Sequence, residues 1–160
     1  MERVNVKRLY RNFGKNLIND NINIKKDRAF YYDSDTHCIG VPHTLEREEV
    51  ENAILKYFEK KGIVGLSSYT LGFIHELGHY YSEKRRNFTI EDFRNFHFQA
   101  SLITFRYNNG DYSYSELLEV YYEIENEKLA NEFVFKIYKE KLEVIKRFDR
   151  LIKYIYEEKY

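Results

Sequence analysis

Apolar residues recur along most of this chain at intervals of three and four. Over residues 5–18 the apolar positions are Val6, Leu9, Tyr10, Phe13 and Leu17. That spacing predicts an amphipathic helix with a basic outer face, despite Gly14. Two short stretches break the rhythm. Residues 28–33 (RAFYYD) and 37–42 (HCIGVP) are rich in aromatic and β-branched residues, with Ser34 and Asp35 between them as turn formers. They predict a β-hairpin or two adjacent strands. Helical periodicity then returns over 45–61, with Thr44 as a suitable N-cap and Lys60, Lys61 and Gly62 as a C-terminal signature. A further helix is predicted over 66–84, opened by Ser67 or Ser68. Thr89 caps another over about 90–107, ended by Asn108-Asn109-Gly110. From Ser113 to about Glu158 there is no Pro or Gly, and Ala130, Val134, Ile137, Ile145, Phe148, Ile152 and Ile155 continue the helical spacing. One break is expected there, since so long a helix is unusual in a small domain. The expected class is α+β, mostly helical, with a small N-terminal sheet.

Composition narrows the possibilities. The 160 residues fit one domain spanning 1–160, and only one Pro and seven Gly punctuate them. Much of the apolar volume is aromatic, with 16 Tyr and 12 Phe. The 26 basic and 26 acidic residues balance. That argues against disorder and against bulk attraction to nucleic acid or an anionic membrane. No apolar run approaches the roughly 20 residues of a membrane span, and the first residues lack the apolar core of a signal peptide. A lone cysteine, Cys38, excludes an internal disulfide and a multi-cysteine zinc finger. The expectation is a cytoplasmic globular protein.

One motif carries chemistry. His75-Glu76-Leu77-Gly78-His79 is an HExxH sequence. Residues four apart lie one above the other on a helix, so both imidazoles can reach one tetrahedral metal ion. Glu76 stands one step round the helix, where a general base belongs. Gly78 is unfavourable in mid-helix, which suggests that another element comes close beside His79. Leu71, Phe73, Ile74, Tyr80 and Tyr81 crowd the motif and mark the helix as buried rather than as a surface helix with incidental histidines.

Catalytic zinc sites usually take a third protein ligand. The extended pattern HExxHxxGxxH is absent, because Ser82 and Arg85 stand at the positions of its Gly and third His. Glu127 has the best context: it shares a helical stripe with Ala130, Asn131 and Val134, and a buried carboxylate needs a cationic partner. Glu123 and His97 are rivals. Asn131 is placed to hydrogen-bond a ligand and orient it. Tyr80, Tyr81, Tyr107 and Tyr122 are candidate donors to a developing oxyanion. Cys38 reads as a packed strand cysteine, His37 with Asp33 and Asp35 as a polar turn, His43 as a possible cleft residue, and Arg85-Arg86 as a solvated face.

HELGH followed by EKLANEF resembles the ImmA/IrrE family of zinc metallopeptidases, over residues 66–84 and 124–138. The resemblance extends loosely to Ile39-Gly40-Val41, where such proteins place a strand lining the cleft. It implies a zincin-like fold of gluzincin type, with His75, His79 and Glu127 binding Zn2+ and Glu76 as catalytic base. It implies hydrolysis of peptide bonds, as in the regulated cleavage of a cytoplasmic protein such as a transcriptional repressor. The family's xFA after the Asn appears here as Glu132-Phe133-Val134, and residues 80–126 form a long segment between the motifs. A peptide substrate is expected along an edge strand near 37–42. The alternatives are a zinc-containing regulatory protein that binds a partner without cleaving it, and hydrolysis of a small peptide or a non-peptide amide.

Overall fold

Helix α1 (Val6–Ile18) forms as its pattern requires. The Asn5 side chain accepts from the Arg8 N–H at 3.2 Å, and Asn19 ends the helix in the left-handed region. Its buried stripe is Val6, Tyr10, Phe13 and Leu17, at spacings of four, three and four. The computed structural model describes residues 5–43 and 48–157. Beyond α1 the elements are β1 (Asn23–Asp27), β2 (Tyr31–Asp33), β3 (Cys38–Pro42), α2 (Glu48–Lys60), α3 (Ser68–Arg86), α4 (Ile90–Asn108), α5 (Tyr114–Tyr121), α6 (Glu125–Glu140) and α7 (Leu142–Glu157). The class is α+β, mostly helical with a three-stranded sheet. The predicted Thr44 cap lies outside the described residues.

The hairpin expected from residues 28–42 is β2–β3, paired antiparallel with Tyr32 opposite Ile39. The sheet has a third strand that the pattern did not announce. β1 (NIKKD) buries only Ile24 among its five residues, so it lacks the alternation of a half-buried strand. Its backbone pairs in parallel with β3, Ile24 opposite Ile39. The order is therefore β1-β3-β2. This corrects the expectation of an edge strand near 37–42: that segment is central. Its residues Ile39 to Pro42 are all buried, as suits a strand covered on both sides. The edges are β1 and β2.

Residues 113–158 contain three helices, not two. The chain breaks at Tyr122–Ile124 and again at Lys141. Neither break has Pro or Gly. At the first, Tyr122 packs into the main core while Ile124, extended at φ −61° and ψ 134°, packs into a smaller cluster around α4. Packing here overrides local propensity.

α3 is the axis of the main core. Leu71, Phe73, Ile74 and Leu77 are each 1% exposed or less, as expected for a helix covered on most sides. Against it, Tyr10 meets Phe73 at 4.8 Å between ring centres, and Phe13 stacks on Phe148 at 3.8 Å. α4 stands apart. Its Phe96 and Ile103 pack with Ile124, Phe88 and Phe93 in the smaller cluster. Among the described residues, no helix is long and apolar enough to cross a membrane.

The start of α3 is held from far along the chain. Its N-cap residue, Ser67, makes no side-chain bond to its own helix. Instead the Ser67 N–H and the Ser67 and Thr70 hydroxyls donate to Asp149 Oδ1 on α7, the N–H at 2.9 Å and Thr70 at 2.6 Å. Lys153 pairs with Asp149 Oδ2 at 3.2 Å. A buried carboxylate thus caps the helix from a different element, where the helix dipole also favours negative charge. Burial pushes the Asp149 carboxyl up, but the Ser67 and Thr70 hydrogen bonds and the Lys153 charge outweigh it and leave the carboxyl below its usual range.

Asp149→Ala should therefore strand three buried donors and cost roughly 3 kcal/mol, seen as a fall in Tm. In Asp149→Asn the loss should be smaller and should depend on pH. The wild-type carboxyl titrates below its unfolded value of about 3.9, so its contribution is complete above that pH and is lost as pH falls through the lower, folded value. Denaturant titrations should show a stability gap between wild type and Asp149→Asn that is constant near neutrality and closes below about pH 4. A gap that persists unchanged in acid would contradict this role.

Candidate metal centre

α3 carries His75 and His79 one turn apart on one side of the helix, their rings 4.9 Å apart and perpendicular. α6 packs along that helix more extensively than any other pair of described elements. The closeness depends on Gly78. A Cβ there would stand 2.6 Å from the Ala130 carbonyl oxygen and 2.9 Å from Ala130 Cα. Backbone therefore lies where a side chain would otherwise be, as the mid-helix glycine suggested.

This approach sets Glu127 and Asn131, three residues before and one after Ala130, opposite the histidines. Glu127 Oε2 lies 2.9 Å from His75 Nε2 and 3.3 Å from His79 Nε2. Asn131 Oδ1 lies 2.7 Å from His75 Nδ1. All four side chains are buried. Glu127 also occupies the first turn of α6, where the helix dipole favours a carboxylate. The Tyr121 hydroxyl donates to its other oxygen, Oε1, at 3.2 Å.

The donor set fits a cation. His75 Nδ1 must carry its proton to bond the Asn131 carbonyl, which leaves an in-plane lone pair at Nε2. A bare lone pair facing a carboxylate oxygen at 2.9 Å is repulsive, so a proton or a metal ion belongs between them. One ligand atom from each of His75, His79 and Glu127 lies within 4.8 Å of the others, and this buried group can hold a metal ion. Among the described residues no other such group occurs. The electrostatics agree. Burial alone would depress His75, but the Glu127 hydrogen bond and charge override it and lift the imidazole to about 9. Burial alone would raise Glu127, but the hydrogen bonds and charge of the two histidines hold it well below the usual carboxylate range.

Glu76 lines a cavity of about 760 Å³ beside this group, together with His75, His79, Glu127, Tyr32 and Tyr122. Burial pushes its carboxyl up, the nearby histidine charges pull it back, and Glu127 pushes it up again. The backbone of Tyr32, on edge strand β2, favours its ionised form in small measure. The Tyr32 ring lies parallel to His79 at 6.3 Å.

The structure separates the remaining candidates. Glu123 is exposed in the turn after α5, and His97 is exposed on α4; neither joins the group. Tyr80 donates to Asp20, Tyr81 accepts from Lys136, and Tyr107 meets Tyr114. Only Tyr122 of that set reaches the cavity, with its ring 5.5 Å from His75. Asp33 serves its own turn through the Asp35 N–H and the Thr36 hydroxyl, and His37 meets the Tyr32 hydroxyl at 2.9 Å. His43 is exposed, and Cys38 is a half-buried free thiol raised by burial. Arg85 lies over the Tyr81 ring at 3.5 Å, and Arg86 is exposed. Tyr121 and Tyr32 were missed by the sequence. Nothing distinguishes them among 16 tyrosines until the break after α5 and the strand order are known.

Glu127→Gln should lower metal affinity by about 100-fold or more, whereas Glu123→Gln should leave it within about twofold. Asn131→Ala should cost an intermediate 10–100-fold, as loss of a ligand's hydrogen-bond partner typically does. Gly78→Ala should weaken metal binding and lower stability by about 1–3 kcal/mol, because the methyl group meets backbone that cannot rotate away. Metal-buffer titrations and thermal melts of the four variants check the set. Equal effects of the Glu127 and Glu123 variants would overturn the assignment. In comparisons with known proteins, no family model, no curated protein and no solved structure matches this chain, so its function is argued from the geometry of the site.

Proposed function

We propose that this protein is a zinc-dependent metallopeptidase of zincin-like fold. The observation that carries the proposal is the position of Glu76: a half-buried carboxylate beside a three-donor group, itself left out of that group, and lining a cavity. Two imidazoles and one carboxylate are a donor set typical of hydrolytic zinc. A purely structural site has no need of a second, uncommitted carboxylate.

His75, His79 and Glu127 would hold the ion. When bound, zinc supplies Lewis acidity, polarising the scissile carbonyl and making water a better nucleophile. Asn131 fixes the His75 ring through Nδ1, and Tyr121 holds Glu127 Oε1 so that Oε2 faces the histidines. Glu76 takes a proton from the attacking water and passes it to the leaving amine. The free side of β2 borders the cavity, and an extended peptide would add there by main-chain hydrogen bonds. A cytoplasmic protein such as a transcriptional repressor is the substrate that the family resemblance suggests.

Glu76→Gln should keep metal content and fold while lowering hydrolysis by about 10²–10⁴-fold. Elemental analysis and peptide cleavage on the same preparation check this. Full activity in Glu76→Gln would remove the carboxylate from the reaction. A full cellular response in Glu76→Gln alongside its loss in His75→Ala would favour the non-cleaving regulatory protein.

A further inference from the structure

A second cavity, of about 770 Å³, adjoins the first. The two share Ser34, Glu83, Phe93, Tyr121, Asn126 and Glu127 in their walls, so both open onto the metal-binding carboxylate. Their order along the chain, through β2 and into the turn after it, is informative. Phe30, Tyr31 and Tyr32 line the first cavity, Ser34 lines both, and Asp35 and His37 line only the second. A chain laid along β2 past the metal group therefore leads into the second cavity.

The inside of that cavity is apolar. Phe88, Phe93, Phe96, Ala100 and Ile124 line it, with Phe96 and Ile124 buried. The Phe88 and Phe93 rings both stand edge-on to Phe96, at 5.1 and 6.1 Å. Of the charged lining residues, Asp35 and Lys84 are exposed at the mouth, while Glu83 and the buried Glu127 lie in the wall shared with the first cavity, which leaves the α4 side apolar. Its size falls within the range of small-ligand sites. Four of the five floor residues lie on α4 or just before it, so the long segment between the motifs forms a wall of the cleft.

We propose that this α4-walled cavity is the specificity pocket of the site, taking a large apolar side chain beside the scissile bond of an internal segment of a peptide. The inference rests on the metallopeptidase reading and adds its substrate class. Cleavage is internal because the cavity walls continue past Glu127 from the first cavity, lined by β2, into the second, lined by the turn after it. Aromatic or long aliphatic side chains fill the floor, whereas small or charged ones leave it empty or strand a charge against phenylalanine.

The test separates the pocket from the reaction by measuring binding, with two hydroxamates as probes for the zinc-loaded protein. Acetohydroxamate reaches only the metal, and 3-phenylpropanohydroxamate adds an aromatic group. The phenyl probe should bind wild type at least about tenfold more tightly, the usual scale of discrimination by an apolar pocket. Ala100→Phe, which fills only the second cavity, should erase that advantage and leave acetohydroxamate affinity unchanged. The unchanged affinity also shows that the variant is folded. Ala100→Leu should give the same change in smaller measure and serves if the larger substitution does not fold. Equal affinity of the two probes in wild type, or a phenyl advantage that survives both substitutions, would overturn the pocket. Failure of acetohydroxamate itself to bind would instead overturn the metal reading, and the pocket's role with it.

Discussion

The contact between two backbones at Gly78 and Ala130 governs the functional part of this molecule. A helix of ordinary composition would hold its neighbour farther away by the width of a side chain. At that separation Glu127 could not reach both histidines, and Asn131 could not reach His75. The glycine is unfavourable within its own helix by about 1 kcal/mol, and that local cost is offset by packing with α6 and by the hydrogen bonds the approach allows. The buried charges that result are tolerable only together. Glu127 is held ionised by the imidazoles, and the imidazoles are held in place by Glu127 and Asn131.

Around this crossing the fold divides its labour. The main core, through Tyr10, Phe13, Phe73 and Phe148, fixes α3 from the side away from the metal group. β2 brings Tyr32 to the cavity beside Glu76. α4 and α5, with Ile124 at the start of α6, carry a separate small core, whose phenylalanines double as the wall of the second cavity. A segment that looks in sequence like an insertion between two motifs is thus part of the cleft.

The most legible features in the sequence were those with a fixed chemical spacing. The HExxH pair, the stripe of Glu127 with Ala130 and Asn131, and the role of Gly78 all follow from helical geometry, and the structure brings those residues together. Helix starts with a strong cap, such as Thr89 before α4, were equally visible, and the structure adds Asp92, which bonds back to the Thr89 N–H. What stayed hidden was set by partners distant in sequence. β1 exists because β3 offers it a backbone edge, and its own residues Lys25 and Lys26 carry no strand signal. The break at Tyr122–Ile124 carries no Pro or Gly and lies where the chain passes from the main core, at Tyr122, to the smaller cluster, at Ile124. Tyr121 and Tyr32 became site residues only through those two unpredicted features. The edge position assigned to residues 37–42 failed for the same reason: without β1, β3 would indeed have been an edge.

The capping of α3 by Asp149 has a consequence for the chain during its synthesis. His75 and His79 leave the ribosome about fifty residues before Glu127, and the bond from Ser67 to Asp149 spans 82 residues. The helix that carries the histidines therefore meets Glu127, and then its N-terminal anchor, only after residue 149 has emerged. A chain stalled before residue 127 would carry the HExxH segment without the carboxylate that faces its histidines, and one stalled before residue 149 would carry it with the start of α3 unanchored.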